Sequence, residues 1–271
     1  MRINNQFKGE QNVYTAPIAQ YYKDSGLQDT ETEILSEHIL DVYVNEVLTM
    51  KLTCLADELT ELTLGRLLSE GIIRSAEDVD YIYICEFGRR AKVFLTPELT
   101  AKKGEEPYVD LTPTCCTGNQ ILNDDFVQQN RLTMLPKGTW KPEDVFLCME
   151  RFAQDTPLHA RTHSTHSCYL LLDGKIVYET EDIGRHNAVD KALGWALRNG
   201  VDLSMVILFT SGRVPTDMAV KVIRAGVPVL ISKEVVTKEA LELAQNFGLT
   251  LIGKAKQDSF YVYADDKVNK Y

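Results

Sequence analysis

The apolar positions of this chain change period several times along its length. In "ILDVYVNEVLTMKLTC", residues 39–54, apolar and polar residues alternate, with a break at Val44-Asn45-Glu46. This predicts two strands joined by an Asn-containing hairpin turn. "ADELTELTLGRLLSEGIIRS", residues 56–75, shifts to helical spacing through Leu59, Leu62, Leu64, Leu67 and Leu68. Asp57, Glu58 and Glu61 suit the start of that helix, and Gly71 stops it. "DYIYICEFGRRAKVFLT", residues 80–96, predicts two more strands around Phe87-Gly88-Arg89. Residues 31–111 thus read as a small α+β domain, and residues 112–140 as a cysteine loop and linker. Residues 1–30 are polar and lack an apolar period, which predicts a loosely packed leader.

From residue 141 to 271 the period alternates regularly. A helix over Glu143–Ala153 precedes "SCYLLLDGKIVYET", a hairpin with Asp173-Gly174 at its turn. Then come a helix ("HNAVDKALGWALRNG"), a strand ("SMVILFT"), a helix ("PTDMAVKVIRAG"), a strand ("VPVLIS"), a helix ("TKEALELAQNFG") and a strand ("LTLIGKA"). Short joins between such elements predict right-handed crossovers, parallel strands and an α/β fold with a mixed sheet.

Composition narrows the function classes. A formal charge of −10 argues against general binding to nucleic acid or to anionic membrane, while leaving room for a local basic pocket. No apolar run approaches the roughly 20 residues that span a bilayer, and the first residues carry no signal-peptide pattern. A cytoplasmic protein is expected. Its six cysteines then sit in a reducing compartment, where a disulfide framework is not expected.

Ligands of α/β sheets bind outside the carboxyl ends of parallel strands. Two polar segments fall at such ends, "EDIGRHNAVDK" (residues 181–191) and "TSGRVPTDM" (residues 210–218). Each places a glycine, Gly184 or Gly212, before an arginine, Arg185 or Arg213, at a helix start. Either loop alone reads as an ordinary solvated turn. Together they point to a phosphate-bearing ligand. "HARTHSTHSC" gathers His159, His163, His166 and Cys168, residue types zinc accepts, but at no closed zinc spacing. "TPTCCTGNQ" sets Cys115 beside Cys116. Neighbouring Cα atoms, about 3.8 Å apart, suit a disulfide poorly. The pair reads equally as an accessible thiolate nucleophile or as two inert loop residues.

Taken together, "LTELTLGRLLSEGII", "EDIGRHNAVDKALGWAL", "FTSGRVPTDMAVKVIRAGVPVLIS" and "LTLIGKAKQDSFYVY" resemble the formate dehydrogenase accessory sulfurtransferase family (FdhD/NarQ). The resemblance runs from about residue 35 to residue 263. It implies a homodimer that relays persulfide sulfur from a cysteine desulfurase to the bis-guanine-dinucleotide molybdenum or tungsten cofactor of formate dehydrogenase. It also implies that the chain binds this cofactor, and that the carboxyl-terminal domain is cytidine-deaminase-like. The deaminase zinc signature is absent. The family's Cys-x-x-Cys loop falls at Cys115-Cys116, where position 118 is Gly118 and position 119 is Asn119. Its Thr-Gly-Gly-x-His stretch falls at Thr162 to His166, with both glycines replaced. Its aromatic-x-Arg-Gly segment falls at Lys254, Ala255, Lys256, Gln257, Asp258 and Ser259, where lysines replace the aromatic and the arginine.

The reading that follows makes Cys115 or Cys116 the sulfur carrier. Asp182, Gly184, Arg185, His186, Asn187, Ser211, Gly212 and Arg213 line the pocket with His166 and the 254–259 segment. Lys191 and Lys221 are expected in ion pairs with Asp182 or Asp190. Two rivals stand beside it, a cofactor-binding chaperone without sulfur transfer and a zinc-using hydrolase built on the histidine cluster.

Overall fold

A computed structural model describes residues 1–103 and 132–265. The first region forms a five-stranded sheet, in order β1-β6-β7-β4-β5. Its strands are β1 (Arg2–Asn5), β4 (His38–Val44), β5 (Val47–Cys54), β6 (Val79–Ile84) and β7 (Arg90–Leu95). The β4–β5 turn holds Asn45 and Glu46 at φ 47° and 68°. Helix α1 (Leu59–Ser69) follows, and the chain turns out of it at Gly71, φ 72°. A short helix α2 (Pro97–Lys103) closes the region.

The expected leader is instead ordered into strands. β1 pairs in parallel with β6, and β2 (Val13–Tyr22) pairs with β3 (Gly26–Leu35) as a separate two-stranded ribbon. The ribbon buries almost nothing, so selection left no apolar period for the sequence to display.

The second region is a six-stranded mixed sheet, in order β13-β12-β11-β10-β8-β9. β8 (His166–Leu172) and β9 (Lys175–Asp182) form the expected hairpin, and β10 (Ile207–Thr210) runs antiparallel to β8. β11 (Val229–Ser232) and β12 (Thr250–Gly253) continue in parallel from β10. β13 (Tyr261–Ala264) adds an antiparallel edge. Helix α3 (Pro142–Phe152) precedes the sheet, and a short helix α4 (Pro157–Thr162) leads into β8. α5 (Arg185–Arg198), α6 (Thr216–Arg224) and α7 (Lys238–Phe247) are the predicted crossover helices.

The two regions share one apolar core, which runs from Leu40 and Leu52 through Leu62 and Leu193 to Leu251. Helices α1 and α5 cross at backbone contact within it. A Cβ on Gly65 would lie 1.7 Å from the Asp190 carbonyl oxygen, and one on Gly194 would lie 1.8 Å from that of Glu61. Every residue of α1 is buried, so its stripe of leucines is only part of its packing surface.

Polar bolts reinforce this seam. Asp182, fully buried, accepts from Leu55 N (3.1 Å), Gly184 N (3.1 Å) and Asn187 Nδ2 (2.8 Å), and pairs with Lys191 Nζ at 2.8 Å. Lys191 also reaches Asp57. Burial works against its charge, and the two carboxylates more than offset it, so the ammonium is held well above its ordinary range. Lys221 pairs with Asp190 at 2.7 Å, and Ser69 Oγ donates to the same carboxylate at 2.8 Å. Both lysines are thus in the expected ion pairs. Glu58 caps α1 at φ 47° and accepts from Tyr178 and Thr180 of β9. It ties two regions together rather than only serving the helix dipole.

Candidate functional site

The parallel strands deliver their carboxyl ends to one edge. Thr210, Ser232 and Gly253 end β10, β11 and β12 there. Because β8 runs the other way and β9 returns, His166 starts and Asp182 ends on the same edge, paired with each other in register. Most of the predicted ligand-binding residues therefore converge, although they come from four separate segments.

Ser211 ties two of those segments together. Its N–H donates to Ser167 O (2.9 Å), its Oγ accepts from Ser167 N (2.9 Å), and Oγ lies 3.3 Å from His166 Nδ1. With one lone pair taken by the Ser167 N–H, the hydroxyl has a proton and a second lone pair left for Nδ1. Burial lowers the His166 pKa, and the charges of Arg185, His159 and His186 lower it further. The imidazole is thus a neutral hydrogen-bond donor near pH 7.

Gly212 gives Arg185 its place. A Cβ there would lie 2.7 Å from Arg185 Cδ and 2.9 Å from its Cβ, so the arginine stem crosses directly over the glycine. Ser232 Oγ donates to Gly212 O at 2.8 Å and fixes the loop from below. Gly184 precedes α5 as its cap, so the first N–H groups of a fourteen-residue helix open toward this edge. His186 Nε2 lies 3.0 Å from Asp217 Oδ2. Burial pushes the imidazole below its usual value, more than Asp217 raises it. Burial would raise the Asp217 carboxyl, but His186, the Met218 N–H and Arg185 outweigh it and hold its pKa at about 2. Arg213 is exposed beside them.

The 254–259 segment follows β12 at the same edge. Lys254 N donates to Glu234 O (2.8 Å), and Ala255 N donates to Ser232 O (3.2 Å). Lys254 Nζ lies 5.1 Å from the ring centre of Tyr261 on β13. Tyr261, on a strand the sequence pattern had not identified, thus lies against this segment. Lys256, Gln257, Asp258 and Ser259 are exposed.

Three predicted contacts fall elsewhere. Asp182 spends both oxygens on the bolt described above. Asn187 is fully buried and donates to Thr53 O (2.7 Å) and to Asp182. Ala255 packs into the apolar core under the sheet. These residues hold the loops in position, and Asn187 Oδ1 is buried without a hydrogen-bond partner among the described residues. Asp217 and Tyr261 are the site neighbours that sequence reasoning missed.

The histidine cluster gathers only in part: the rings of His159 and His163 meet edge to face with centres 5.6 Å apart. His159 Nδ1 faces Thr165 O at 3.0 Å, His163 sits at the end of α4 at φ 50°, and His166 turns to Ser211. Cys168 is fully buried, where burial pushes its thiol far up. Among the described residues no three His, Cys, Asp or Glu side chains are grouped to hold a metal ion. Cys54 and Cys148 are likewise buried with thiols raised by burial. Cys115 and Cys116 lie outside the described residues. No helix among the described residues is long and apolar enough to cross a membrane.

Residues 35–268 match a family model described as the FdhD/NarQ family. A protein of Listeria innocua named sulfur carrier protein FdhD is 29% identical over 242 residues, which cover 88% of this chain and 91% of that protein. One of the same name from Geobacillus kaustophilus is 30% identical over 254 residues, covering 92% and 94%. A crystal structure from Desulfotalea psychrophila, described as a formate dehydrogenase accessory protein, superposes with a TM-score of 0.73 at 22% identity. That superposition covers 95% of this chain and 99% of the other, and it shows a shared fold.

Proposed function

This chain belongs to the FdhD/NarQ family, and from that premise we propose that it is a sulfur carrier in the maturation of formate dehydrogenase. The observation that carries this reading is the family match itself, which spans the Cys115-Cys116 loop as well as the assembled edge. A thiolate of Cys115 or Cys116 attacks the outer sulfur of a persulfide on a cysteine desulfurase. The S–S bond of the donor breaks, its cysteine leaves as the thiol or thiolate, and the sulfur stays on this chain as a new persulfide. The buried thiols of Cys54, Cys148 and Cys168 are poor candidates for that attack, because their deprotonated forms are disfavoured.

The cargo is the bis-guanine-dinucleotide molybdenum or tungsten cofactor, held as a substrate. Arg185 and Arg213 meet its phosphates with planar forks, the start of α5 offers N–H groups to the same charge, and the Lys254–Tyr261 pair offers a cation and a ring face. His166, held neutral by burial, donates a hydrogen bond or passes a proton at the sulfur. The strand order and the β8–β9 hairpin support placing the second region among cytidine-deaminase-like folds. We further place the protein in the cytoplasm, as a homodimer. A second reading, a chaperone that binds the cofactor without moving sulfur, is favoured by one observation. The second cysteine of the family spacing is replaced by Gly118 or Asn119, while the phosphate-facing loops are kept.

Incubation with a desulfurase and cysteine, followed by intact-mass analysis, tests the relay. A gain of one sulfur that maps to Cys115 or Cys116 is expected. Binding of the cofactor without that gain would select the chaperone.

A further inference from the structure

One side-chain contact joins the two Gly-Arg loops directly. His186 stands in the first turn of α5 and Asp217 in the first turn of α6, with Nε2 of the one 3.0 Å from Oδ2 of the other. The second carboxylate oxygen, Oδ1, accepts the Met218 N–H at 2.9 Å. Asp217 thus serves its own helix with one oxygen and the neighbouring loop with the other.

That contact fixes where the His186 proton sits. Asp217 is ionised, its pKa held at about 2, and burial keeps the imidazole neutral near pH 7. A bare ring nitrogen 3.0 Å from a carboxylate would set two lone pairs against each other. The single ring proton therefore belongs on Nε2, even though the carboxylate stands off the ideal N–H line. Nε2 is buried, yet 15% of the side chain is exposed. Nδ1 bonds to no described residue, so it is the ring nitrogen left for a ligand, and it carries a lone pair. Arg185, Arg213 and the start of α5, the groups placed for phosphate, can only donate.

We propose that Asp217 is a positioning residue that presents His186 Nδ1 as a hydrogen-bond acceptor, and that Nδ1 takes a donor from the nucleoside part of the ligand, a base N–H or a sugar O–H. This role rests on the nucleotide-cofactor reading above and deepens it. A diphosphate ester has no proton to give at neutral pH, so the pair adds nothing to phosphate binding. The carboxylate beside Arg185 even works against it. The arginines and the helix start hold the diphosphate, and His186 reads what is attached to it.

Equilibrium binding of the full chain to guanosine diphosphate and to methyl diphosphate tests this, read as the ratio of the two dissociation constants. Both ligands carry the same diphosphate, so the ratio cancels the change in protein charge. Asp217→Ala is expected to shift it against guanosine diphosphate by about threefold and His186→Gln by about fivefold, the range of one neutral hydrogen bond. Asn sets an amide oxygen near the place of Nδ1, whereas Gln reaches to the place of Nε2, so His186→Asn is expected to keep most of the preference. Ribose 5-diphosphate assigns the donor. Sensitivity to Asp217→Ala with that ligand gives the donor to the sugar, and insensitivity gives it to the base. An unchanged ratio in Asp217→Ala and His186→Gln, or equal losses in His186→Gln and His186→Asn, would overturn the proposal while phosphate recognition stands. A wild type that binds neither diphosphate overturns the cofactor reading and this role with it. Ring nitrogen shifts by NMR need no variant: Nδ1 should be the unprotonated nitrogen of His186, and a proton there would also overturn the proposal.

Discussion

His166 Nδ1 lies 3.3 Å from Ser211 Oγ, and that oxygen already accepts the Ser167 N–H at 2.9 Å. The hydroxyl has one proton and one lone pair left for Nδ1, and a hydroxyl that donates there fixes the imidazole N–H on Nε2. Ser211→Ala should leave the fold intact and release His166 into a mixture of tautomers, seen as a change in its ring nitrogen shifts by NMR. Loss of one neutral hydrogen bond, worth about 0.5–1.5 kcal/mol, should weaken ligand binding by no more than about tenfold. Unchanged ring nitrogen shifts in Ser211→Ala would show that the tautomer is set elsewhere.

Arg185 and Arg213 are expected to carry the recognition of phosphate. Arg185→Ala or Arg213→Ala should each reduce affinity for a guanine nucleotide diphosphate probe by about tenfold or more, at the 1.5–3 kcal/mol typical of hydrogen bonds to charged groups. Arg213→Lys should recover part of that, since lysine keeps the charge and loses the fork. Gly212→Ala should act on the same contact indirectly, because its new methyl would displace the Arg185 stem. Equilibrium binding at two salt concentrations reads all four variants. Full affinity in both alanine variants would remove phosphate from the site.

The fold was legible wherever a face is buried. The α5–α7 helices and the β8–β12 strands follow their sequence periods because each lays one stripe against the shared sheet. What escaped has a common cause, which is dependence on distant chain. The β2–β3 ribbon carries no core-facing period. β13 is a four-residue edge strand visible only by its pairing with β12. A helical glycine at Gly65 looks costly by propensity, and the backbone of α5 that explains it lies far along the sequence. At the site, the two Gly-Arg loops could be read directly. The burial of Asp182 and Asn187 could not, because their partners Leu55 and Thr53 belong to the other region.

Lys191 tests the seam between those regions. Lys191→Met leaves Asp182 buried without its cation, which should cost about 3–5 kcal/mol. Asp182→Asn/Lys191→Met removes both charges and keeps one amide oxygen for Gly184 N and Asn187 Nδ2, while Leu55 N loses its acceptor. It should cost clearly less than the sum of the single variants. Urea unfolding of the four proteins measures the coupling, and strict additivity would mean the pair is not a unit.

Acid should weaken the protein through its imidazoles. His166 and His186 both have folded pKa values below their ordinary value of 6.5. As pH falls through that value the unfolded chain takes up protons first. Their contribution is therefore full above about pH 6.5 and declines below it. Glu58, raised by burial, runs the other way, so the imidazole effect is read as a difference. Relative to wild type, His166→Gln should gain stability between pH 7.5 and pH 5.5. A difference that stays flat or reverses would show that His166 charges as freely folded as unfolded.

The adjacent cysteines decide how the relay works. A Cys-x-x-Cys pair lets one thiol carry sulfur while the other resolves it, with three peptide bonds between them. Cys115 and Cys116 are consecutive, and an ordinary disulfide prefers Cα atoms about 4.4–6.8 Å apart. Resolution within the pair is therefore disfavoured, and a single carrier is the simpler chemistry. On that basis one of Cys115→Ser and Cys116→Ser should abolish persulfide formation, and the other should retain it nearly in full. Mass mapping after desulfurase treatment distinguishes the cases. Roughly half-loss in each single variant would mean that the two thiols share the sulfur. Full loading in the double variant would move the chemistry to another cysteine, of which Cys85 is the one described residue not fully buried.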